Sequence, residues 1–169
     1  MSIFSKMNEF KEFGLSDKFL ENLEKIFITE PTEIQRKAIP LTLKGKDVIG
    51  GSATGSGKTL AFSASIIENI NDDSEIQALI MTPTRELAEQ ISESIKDFSK
   101  GFPVEVMTIY GGVSIENQFK KIPSANIVVG TPGRILDHLN RKTLDLSKVK
   151  YLVLDEVDRM FEMGFQQDV

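Results

Sequence analysis

The feature that most constrains the fold is a series of short apolar runs that alternate with helical patterns along the chain. These runs are rich in β-branched residues and largely apolar at successive positions, as in strands buried on both faces of a parallel sheet. Five runs are predicted to be strands: Asp47–Gly51, Gln77–Thr82, Val104–Tyr110, Asn126–Gly130 and Lys150–Asp155. A helix is predicted over Thr84–Lys100, where apolar residues recur on one face. The pattern predicts an α/β domain with a doubly wound, mostly parallel sheet and helices on both faces.

Composition excludes several classes of protein. The 169 residues suit one domain, and the absence of cysteine excludes disulfides and thiolate zinc sites. The one histidine, His138, is too little for a histidine-based metal centre, and we expect it on a helix surface. No apolar run approaches the roughly 18 residues of a membrane span, and the charges in Met1–Leu20 are unlike a signal peptide. We therefore expect a cytoplasmic protein without a membrane partner.

The net charge argues against a broad nucleic-acid-binding surface. Lys and Arg number 20 against 25 Asp and Glu, which gives a formal charge of −5. Proteins that bind the phosphate backbone usually carry a basic footprint. Any nucleic-acid binding by this chain must therefore depend on a few well-placed groups.

A glycine-rich segment between the first apolar run and a helical pattern is the first candidate site. It consists of Ser52, Ala53, Thr54, Gly55, Ser56, Gly57, Lys58 and Thr59. Glycines let the backbone approach a ligand closely, and N–H groups at the start of a helix bind phosphate. Lys58 would reach the outer phosphates and the Thr59 hydroxyl would bind Mg²⁺. Ser52 replaces the first glycine of the usual pattern, so a turn that binds nothing stays an alternative.

Two adjacent carboxylates close the last apolar run, at Asp155 and Glu156. In a nucleoside triphosphatase with a phosphate-binding loop, the aspartate at a strand end holds Mg²⁺, and the next acid can orient or deprotonate the attacking water. Alternatively, both acids simply begin a helix, where they complement the helix dipole. With the glycine-rich segment, the pair favours nucleotide hydrolysis, with Lys58, Asp155 and Glu156 as catalytic residues.

These segments, with three others in the same order, resemble the N-terminal RecA-like domain of DEAD-box ATP-dependent RNA helicases. Phe10 with Pro31–Gln35 is similar to the Q motif of the family. There the glutamine amide reads the adenine edge and the upstream aromatic ring stacks on the base. The resemblance implies that Phe10, Thr32 and Gln35 contact ATP. Alternatively, Thr32 and Gln35 form a capping box that opens a helix.

The remaining segments resemble those that hold RNA in the family. Pro83–Ala88 is similar to motif Ia, Gly111-Gly112 to the glycine doublet, and Thr131–Arg134 to motif Ib. The resemblance implies contacts to the RNA sugar–phosphate backbone by Pro83, Thr84, Arg85, Gly111, Gly112, Thr131, Pro132, Gly133 and Arg134. Backbone contacts position a nucleic acid without reading its sequence. Without the resemblance, the arginines would be surface residues at helix starts.

The resemblance also implies an organisation and an activity. Asp155–Asp158 reads D-E-V-D where the family has D-E-A-D, so Val157 replaces an alanine, and Asp158 is expected to relay between the ATP site and later motifs. We expect residues 1–169 to form one N-terminal RecA-like domain with its Q-motif region at 10–35. The implied cofactors are ATP and Mg²⁺, and the implied partner is RNA. The predicted activity is ATP-dependent unwinding of short RNA duplexes; an RNA clamp or scaffold, a DNA-directed superfamily 2 translocase and a P-loop kinase are the alternatives.

The resemblance further implies that parts of the enzyme are missing from this sequence. The family has a C-terminal RecA-like domain, so we expect the chain alone to be nearly inactive. In the family a later strand lies between the strand of the phosphate loop and the strand that ends at Asp155. We therefore expect an incomplete sheet here; destabilisation, self-association through the gap and a longer natural chain are the open interpretations.

Overall fold

Four of the five predicted strands form one parallel sheet. The computed structural model describes residues 9–51, 53, 55–71, 73 and 75–169. The strands are β1 (Ala78–Met81), β2 (Val106–Ile109), β3 (Ile127–Gly130) and β4 (Tyr151–Leu154). Their order is β2-β3-β1-β4, and all three neighbouring pairs are parallel. β1 and β3 are buried at every residue, as their apolar sequences predict, and the α/β class is confirmed.

Helices connect these strands, and further helices precede the sheet in the described part of the chain. They are α1 (Asp17–Lys25), α2 (Glu33–Thr42), α3 (Lys58–Asn69), α4 (Arg85–Phe98), α5 (Ile115–Phe119), α6 (Pro132–Asn140) and α7 (Val157–Glu162). Helix α4 confirms the helix predicted over Thr84–Lys100, and its Ala88, Ile91 and Ile95 are buried. None of the helices in the described part of the chain is long and apolar enough to span a membrane.

The strand predicted at Asp47–Gly51 is wrong. Residues 46–51 are irregular, Val48 is exposed, and the Ile49 side chain is fully exposed. A strand forms only where its N–H and C=O groups meet a neighbouring strand, and an apolar run cannot supply that neighbour. Residues 9–69 contain helices but no strand where the structure describes them.

The chain divides into two compact units. The first comprises residues 1–69 and 97–102. Its buried side chains include Phe10, Phe19, Leu23, Ile39 and Ile66. The buried amide of Asn22 donates to the carbonyls of Phe98 and Lys100, both at 2.9 Å. Since the last carbonyls of a helix lack intrahelical partners, this side chain satisfies the end of α4.

The second unit comprises residues 70–96 and 103–169 and contains the whole sheet. Its core includes Leu79, Met81, Ile109, Val128 and Met160. At Gly130 a Cβ atom would lie 2.3 Å from the Ile109 carbonyl oxygen, so only glycine lets β3 end against β2.

The four strands end level with one another. Met81 of β1 pairs with Gly130 of β3 and Leu154 of β4, and Ile109 of β2 pairs with Gly130. In a parallel sheet, segments that follow such aligned ends meet at one edge, which is where ligands bind in folds of this class. We call residues 82–85, 110–113, 131–134 and 155–156 the carboxyl edge.

Strand β4 lies at one end of the described sheet. Its Leu152 and Leu154, two residues apart and so on one face, are exposed by 60% and 39%. An uncovered apolar edge strand is a template for pairing with another chain. Self-association through this strand stays a prediction.

Candidate nucleotide and RNA sites

The described part of the glycine-rich segment has two glycines with positive φ just before a helix. Helix α3 begins at Lys58, as predicted, and the preceding Gly55 and Gly57 have φ of +78° and +88°. Lys58 Nζ donates to the Ala53 carbonyl at 3.1 Å, which holds the ammonium group over the loop. Thr59 lies in the first turn of α3 and is half-buried. Ser52 and Thr54 lie outside the described residues.

Gln35 joins the start of helix α2 to this loop. Its side chain is buried, its Oε1 accepts from the Thr32 N–H at 2.9 Å, and its Nε2 donates to the Gly57 carbonyl at 3.1 Å. The capping box that was the alternative for Thr32 and Gln35 is therefore confirmed. Both ends of the Gln35 amide have protein partners, so reading of an adenine edge by Gln35 stays a prediction.

Replacing Gly57 with alanine is expected to lower the free energy of unfolding by about 1–2 kcal/mol more than replacing Gly55. Both glycines have positive φ, so both substitutions introduce backbone strain. Only at Gly57 would the new Cβ meet a side chain, since it would lie 2.3 Å from Gln35 Nε2, whereas Gly55 has nothing within 4 Å. The Gln35 amide would swing away and lose its bonds to Gly57 and Thr32. Urea denaturation of the two variants measures the difference, and equal losses would contradict the role of Gln35.

The Phe10 ring lies in the core of the first unit. Its side chain is 0% exposed, and its ring meets Phe13 edge to face at 5.8 Å between centroids. A ring enclosed by protein has no face available to a base. Phe10 is therefore a core residue of the first unit here, and stacking of its ring on adenine stays a prediction.

The acidic pair closes β4 in the second unit. The Asp155 N–H donates to the Met81 carbonyl at 2.9 Å and so extends the sheet by one residue. Glu156 then adopts a left-handed backbone, with φ of +53° and ψ of 48°, before α7 begins. Such a backbone is rare outside glycine and is concentrated at functional sites. Glu156 Oε2 pairs with Arg159 Nη1 at 3.4 Å.

The neighbours of the acidic pair serve structural roles. Val157, which replaces the family alanine, packs against the hydrophobic core of the second unit, where its extra methyl groups are accommodated. Asp158 is exposed, and its Oδ1 accepts from the Arg159 N–H at 2.9 Å. The relay role of Asp158 stays a prediction.

Two predicted RNA segments lie at helix starts on the carboxyl edge. Thr84 Oγ1 accepts from the Leu87 N–H at 3.3 Å, which confirms that Thr84 caps α4. Thr131 occupies the same position before α6, but its side chain makes no capping hydrogen bond. Gly112 has φ of +82° and nothing within 4 Å of where a Cβ would lie. The loop therefore leaves open space beside its backbone at this position.

Arg85 is held on this edge by two partners that sequence reasoning missed. Its Nε donates to Glu89 Oε1 at 3.2 Å, and its guanidinium lies 4.7 Å from the centroid of the Tyr110 ring. The Tyr110 hydroxyl also donates to Glu89 Oε1, at 2.6 Å, and this bond, with Arg85, lowers the pKa of Glu89. A glutamate one helical turn after Arg85 was the available signal. The Arg85 side chain is half exposed.

The guanidinium group of Arg134 is largely enclosed by protein, whereas the Arg85 side chain is half exposed. The Arg134 side chain is 13% exposed, and Nη1 and Nη2 both donate to the Val113 carbonyl at 3.1 Å. Nη1 also donates to Gln118 Oε1 at 3.1 Å. No signal in the sequence identified Gln118, since its partners are remote along the chain.

His138 is buried, and the expectation that it lies on a helix surface is wrong. Its Nδ1 lies 2.8 Å from Thr143 Oγ1 and its Nε2 lies 3.3 Å from Gln118 Oε1. Helical periodicity gave no warning, because a polar ring that finds two partners can be buried. Burial, together with Arg134 and Arg141, lowers the pKa of His138 below its usual 6.5, against the opposing effect of Asp137.

This lowered pKa predicts a pH dependence of stability. Below about pH 6.5 the unfolded chain binds a proton at His138 that the folded chain resists, so the unfolding free energy falls with pH there. We expect wild type to lose more stability than His138→Gln between about pH 7.5 and pH 5.5. Urea denaturation at both pH values tests this. A parallel loss in the two proteins would contradict it.

The side chains suit a magnesium nucleotide held mainly by its phosphates. The described residues contain no group of three or more His, Cys, Asp or Glu that could hold a metal alone. A phosphate-bound Mg²⁺ needs only one or two protein oxygens, and the Thr59 hydroxyl in the first unit and the Asp155 carboxylate in the second are each a suitable kind of ligand. The open cradle at Gly55 and the Lys58 ammonium match the anionic phosphates.

Comparison with known proteins agrees with these features. Residues 32–169 match the family model described as DEAD/DEAH box helicase. RNA helicase CrhR from Synechocystis sp. is 47% identical over 161 residues, which are 95% of this chain and 33% of that protein. The chain thus spans about a third of this curated relative.

Solved structures show the same fold. A DEAD box protein from Methanococcus jannaschii is 47% identical over 94% of this chain and 44% of its own, with a TM-score of 0.91. Prp28 from Chaetomium thermophilum, an RNA helicase bound to ADP, is 40% identical over 93% of this chain and 40% of its own, with a TM-score of 0.84. The strand arrangement and the motif order thus lead to one assignment: this chain belongs to the DEAD/DEAH box helicase family.

Proposed function

We propose that this chain is the ATP-binding part, and part of the RNA-binding surface, of an ATP-dependent RNA helicase that unwinds short duplexes. The observation that carries the proposal is the carboxyl edge of the sheet. The segments that follow β1, β2 and β3 carry the RNA motifs, and the segment that follows β4 carries the acidic pair. The segments proposed to bind the RNA backbone and the acidic pair proposed to act on ATP thereby follow strands of the same sheet.

The nucleotide part of the proposal assigns a task to each side chain. Lys58 Nζ exchanges its hydrogen bond to the Ala53 carbonyl for contacts with the outer phosphates of ATP. Backbone N–H groups at the start of α3 bind the same phosphates. Thr59 and Asp155 would hold Mg²⁺, which would supply positive charge to neutralise the phosphates. Glu156 accepts a proton from the attacking water, and Gln35 keeps the loop attached to α2.

The RNA part of the proposal depends on backbone contacts. Thr84, Arg85, Gly111, Gly112, Thr131, Pro132 and Gly133 form the contact surface, through helix starts, the open Gly111-Gly112 loop and the Arg85 guanidinium group, and Arg134 supports that loop from the protein side. A C-terminal RecA-like domain completes the enzyme in the cytoplasm, and closure of the two domains on ATP bends one RNA strand. The isolated chain is accordingly nearly inactive.

The decisive experiment measures ATP turnover by the full-length protein with and without single-stranded RNA. We expect RNA to stimulate turnover, and Arg85→Ala to weaken both RNA affinity and stimulation. The control is Arg141→Ala, because Arg141 is exposed and follows the C-terminal end of α6. It should change neither RNA affinity nor stimulation of turnover. RNA binding without turnover would favour a clamp instead, and equal stimulation by DNA would favour a translocase.

A further inference from the structure

A continuous series of contacts joins Arg85 to Arg134 through Tyr110. On one side, the Tyr110 hydroxyl and Arg85 Nε share the same oxygen of Glu89, at 2.6 and 3.2 Å. On the other side, the Tyr110 carbonyl accepts from Gln118 Nε2 at 3.0 Å. Gln118 Oε1 in turn accepts from Arg134 Nη1 at 3.1 Å. Tyr110 immediately precedes the glycine doublet. Both arginines are therefore linked through Tyr110 to the start of the Gly111-Gly112 loop.

The chemistry of its partners leaves the Gln118 amide one orientation. A guanidinium group only donates, so the Gln118 oxygen must face Arg134. The amide nitrogen then faces the Tyr110 carbonyl, which only accepts. His138 Nε2, 3.3 Å from the same Gln118 oxygen, completes the set from the buried side. A buried amide with all its partners in place holds a single conformation.

The two arginines have different tasks in this arrangement. Arg134 is largely buried and fastens the loop by donating twice to the Val113 carbonyl. Arg85 is half exposed, stacks on the Tyr110 ring and so presents its remaining donors outward. Arg85 is therefore the arginine placed to meet a phosphate, whereas Arg134 keeps the loop in shape.

We propose that Tyr110 and Gln118 are positioning residues for the RNA backbone: they hold Arg85 and the loop 111–113 at a fixed spacing along the carboxyl edge. This rests on the proposed function, because it assumes that RNA binds at this edge. A long arginine side chain loses rotamer freedom when it binds, and fixing it beforehand reduces that loss. The result is tighter binding without any contact from Tyr110 or Gln118 to RNA.

Tyr110→Phe tests the first link, because it removes the hydroxyl and keeps the ring. In the full-length protein with a non-hydrolysable ATP analogue, we expect about fivefold weaker binding of a labelled oligouridine RNA. The slope of log affinity against log salt should also fall toward that of Arg85→Ala, which lacks one phosphate contact. Tyr151→Phe, at the opposite end of β4, makes the same chemical change and should alter neither value.

Gln118 tests the second link. Gln118→Leu removes the hydrogen bonds to Tyr110, Arg134 and His138 and should weaken RNA binding about tenfold. Gln118→Glu keeps an oxygen for Arg134 but turns a second acceptor toward the Tyr110 carbonyl, so it should recover only the part of the affinity that depends on Arg134. Combining Gln118→Leu with Arg134→Ala should cost little more than Arg134→Ala alone, since both act on the same loop.

The outcomes separate the two proposals. If Arg85→Ala weakens RNA binding while Tyr110→Phe and Gln118→Leu match wild type, the positioning role is overturned and the proposed function stands. Weaker binding by Tyr110→Phe with an unchanged salt slope would mean a general loss of structure and would also overturn it. Absence of RNA binding by wild type would remove the proposed function and this inference with it.

Discussion

Replacing Glu156 with glutamine is expected to reduce RNA-stimulated ATP turnover by the full-length protein by about a hundredfold or more, with nucleotide binding retained. The substitution keeps the size of the side chain and removes the proton acceptor. Glu156 is well suited to this task, because it follows the end of β4 directly and has a left-handed backbone of the kind that is concentrated at functional sites. Single-turnover hydrolysis and nucleotide affinity, measured on the same variant, give the two halves of the result.

Glu162→Gln is the matched control, since Glu162 ends the same helix α7 and is exposed. Its turnover should equal that of wild type. The Glu156 variant should also retain RNA longer in the presence of ATP, because release follows hydrolysis in the proposed cycle. Wild-type turnover by Glu156→Gln would show that another group activates the water.

Replacing Lys58 with alanine is expected to weaken ATP binding at least tenfold, because hydrogen bonds to charged groups contribute about 1.5–3 kcal/mol. The ammonium group is held over the loop by the Ala53 carbonyl, so its loss removes a charge that the fold has already placed. Titration with a fluorescent ATP analogue measures the affinity. RNA stimulation of turnover should fall at the same time.

Lys46→Ala removes an exposed lysine ahead of the same loop and serves as the control. It should bind ATP as wild type does. The unfolding free energy of Lys58→Ala should stay close to that of wild type, since a half-buried lysine adds little to the core. Unchanged ATP affinity in Lys58→Ala would place the triphosphate elsewhere.

Much of the architecture follows from local sequence patterns. The runs around β1 and β3 are long enough in Ile, Leu and Val to require burial on both faces, and they lie in the centre of the sheet. The period of apolar residues identified α4 and most of its buried face. The order of motifs along the chain identified the family, because five short segments rarely recur together by chance.

The wrong predictions share a cause. The residue pattern of a segment does not determine which other segments it contacts in the folded protein. Asp47–Gly51 has a strand-like composition, yet no neighbouring strand is available to it in the described residues. His138 was expected on a helix surface, but it is buried between two polar groups. Burial depends on what the rest of the chain places nearby.

The sequence by itself determined the α/β class, the helix that starts at Lys58, the polar groups at strand ends and the family. Periodicity, glycine content and motif order are local properties, so a linear reading retains them. Only the tertiary structure decided that Tyr110 and Gln118 tie Arg85 to Arg134, and that Arg134 faces the protein while Arg85 faces outward. These contacts join residues far apart in the chain, and hydrogen-bond partners follow from position in space rather than from spacing in sequence.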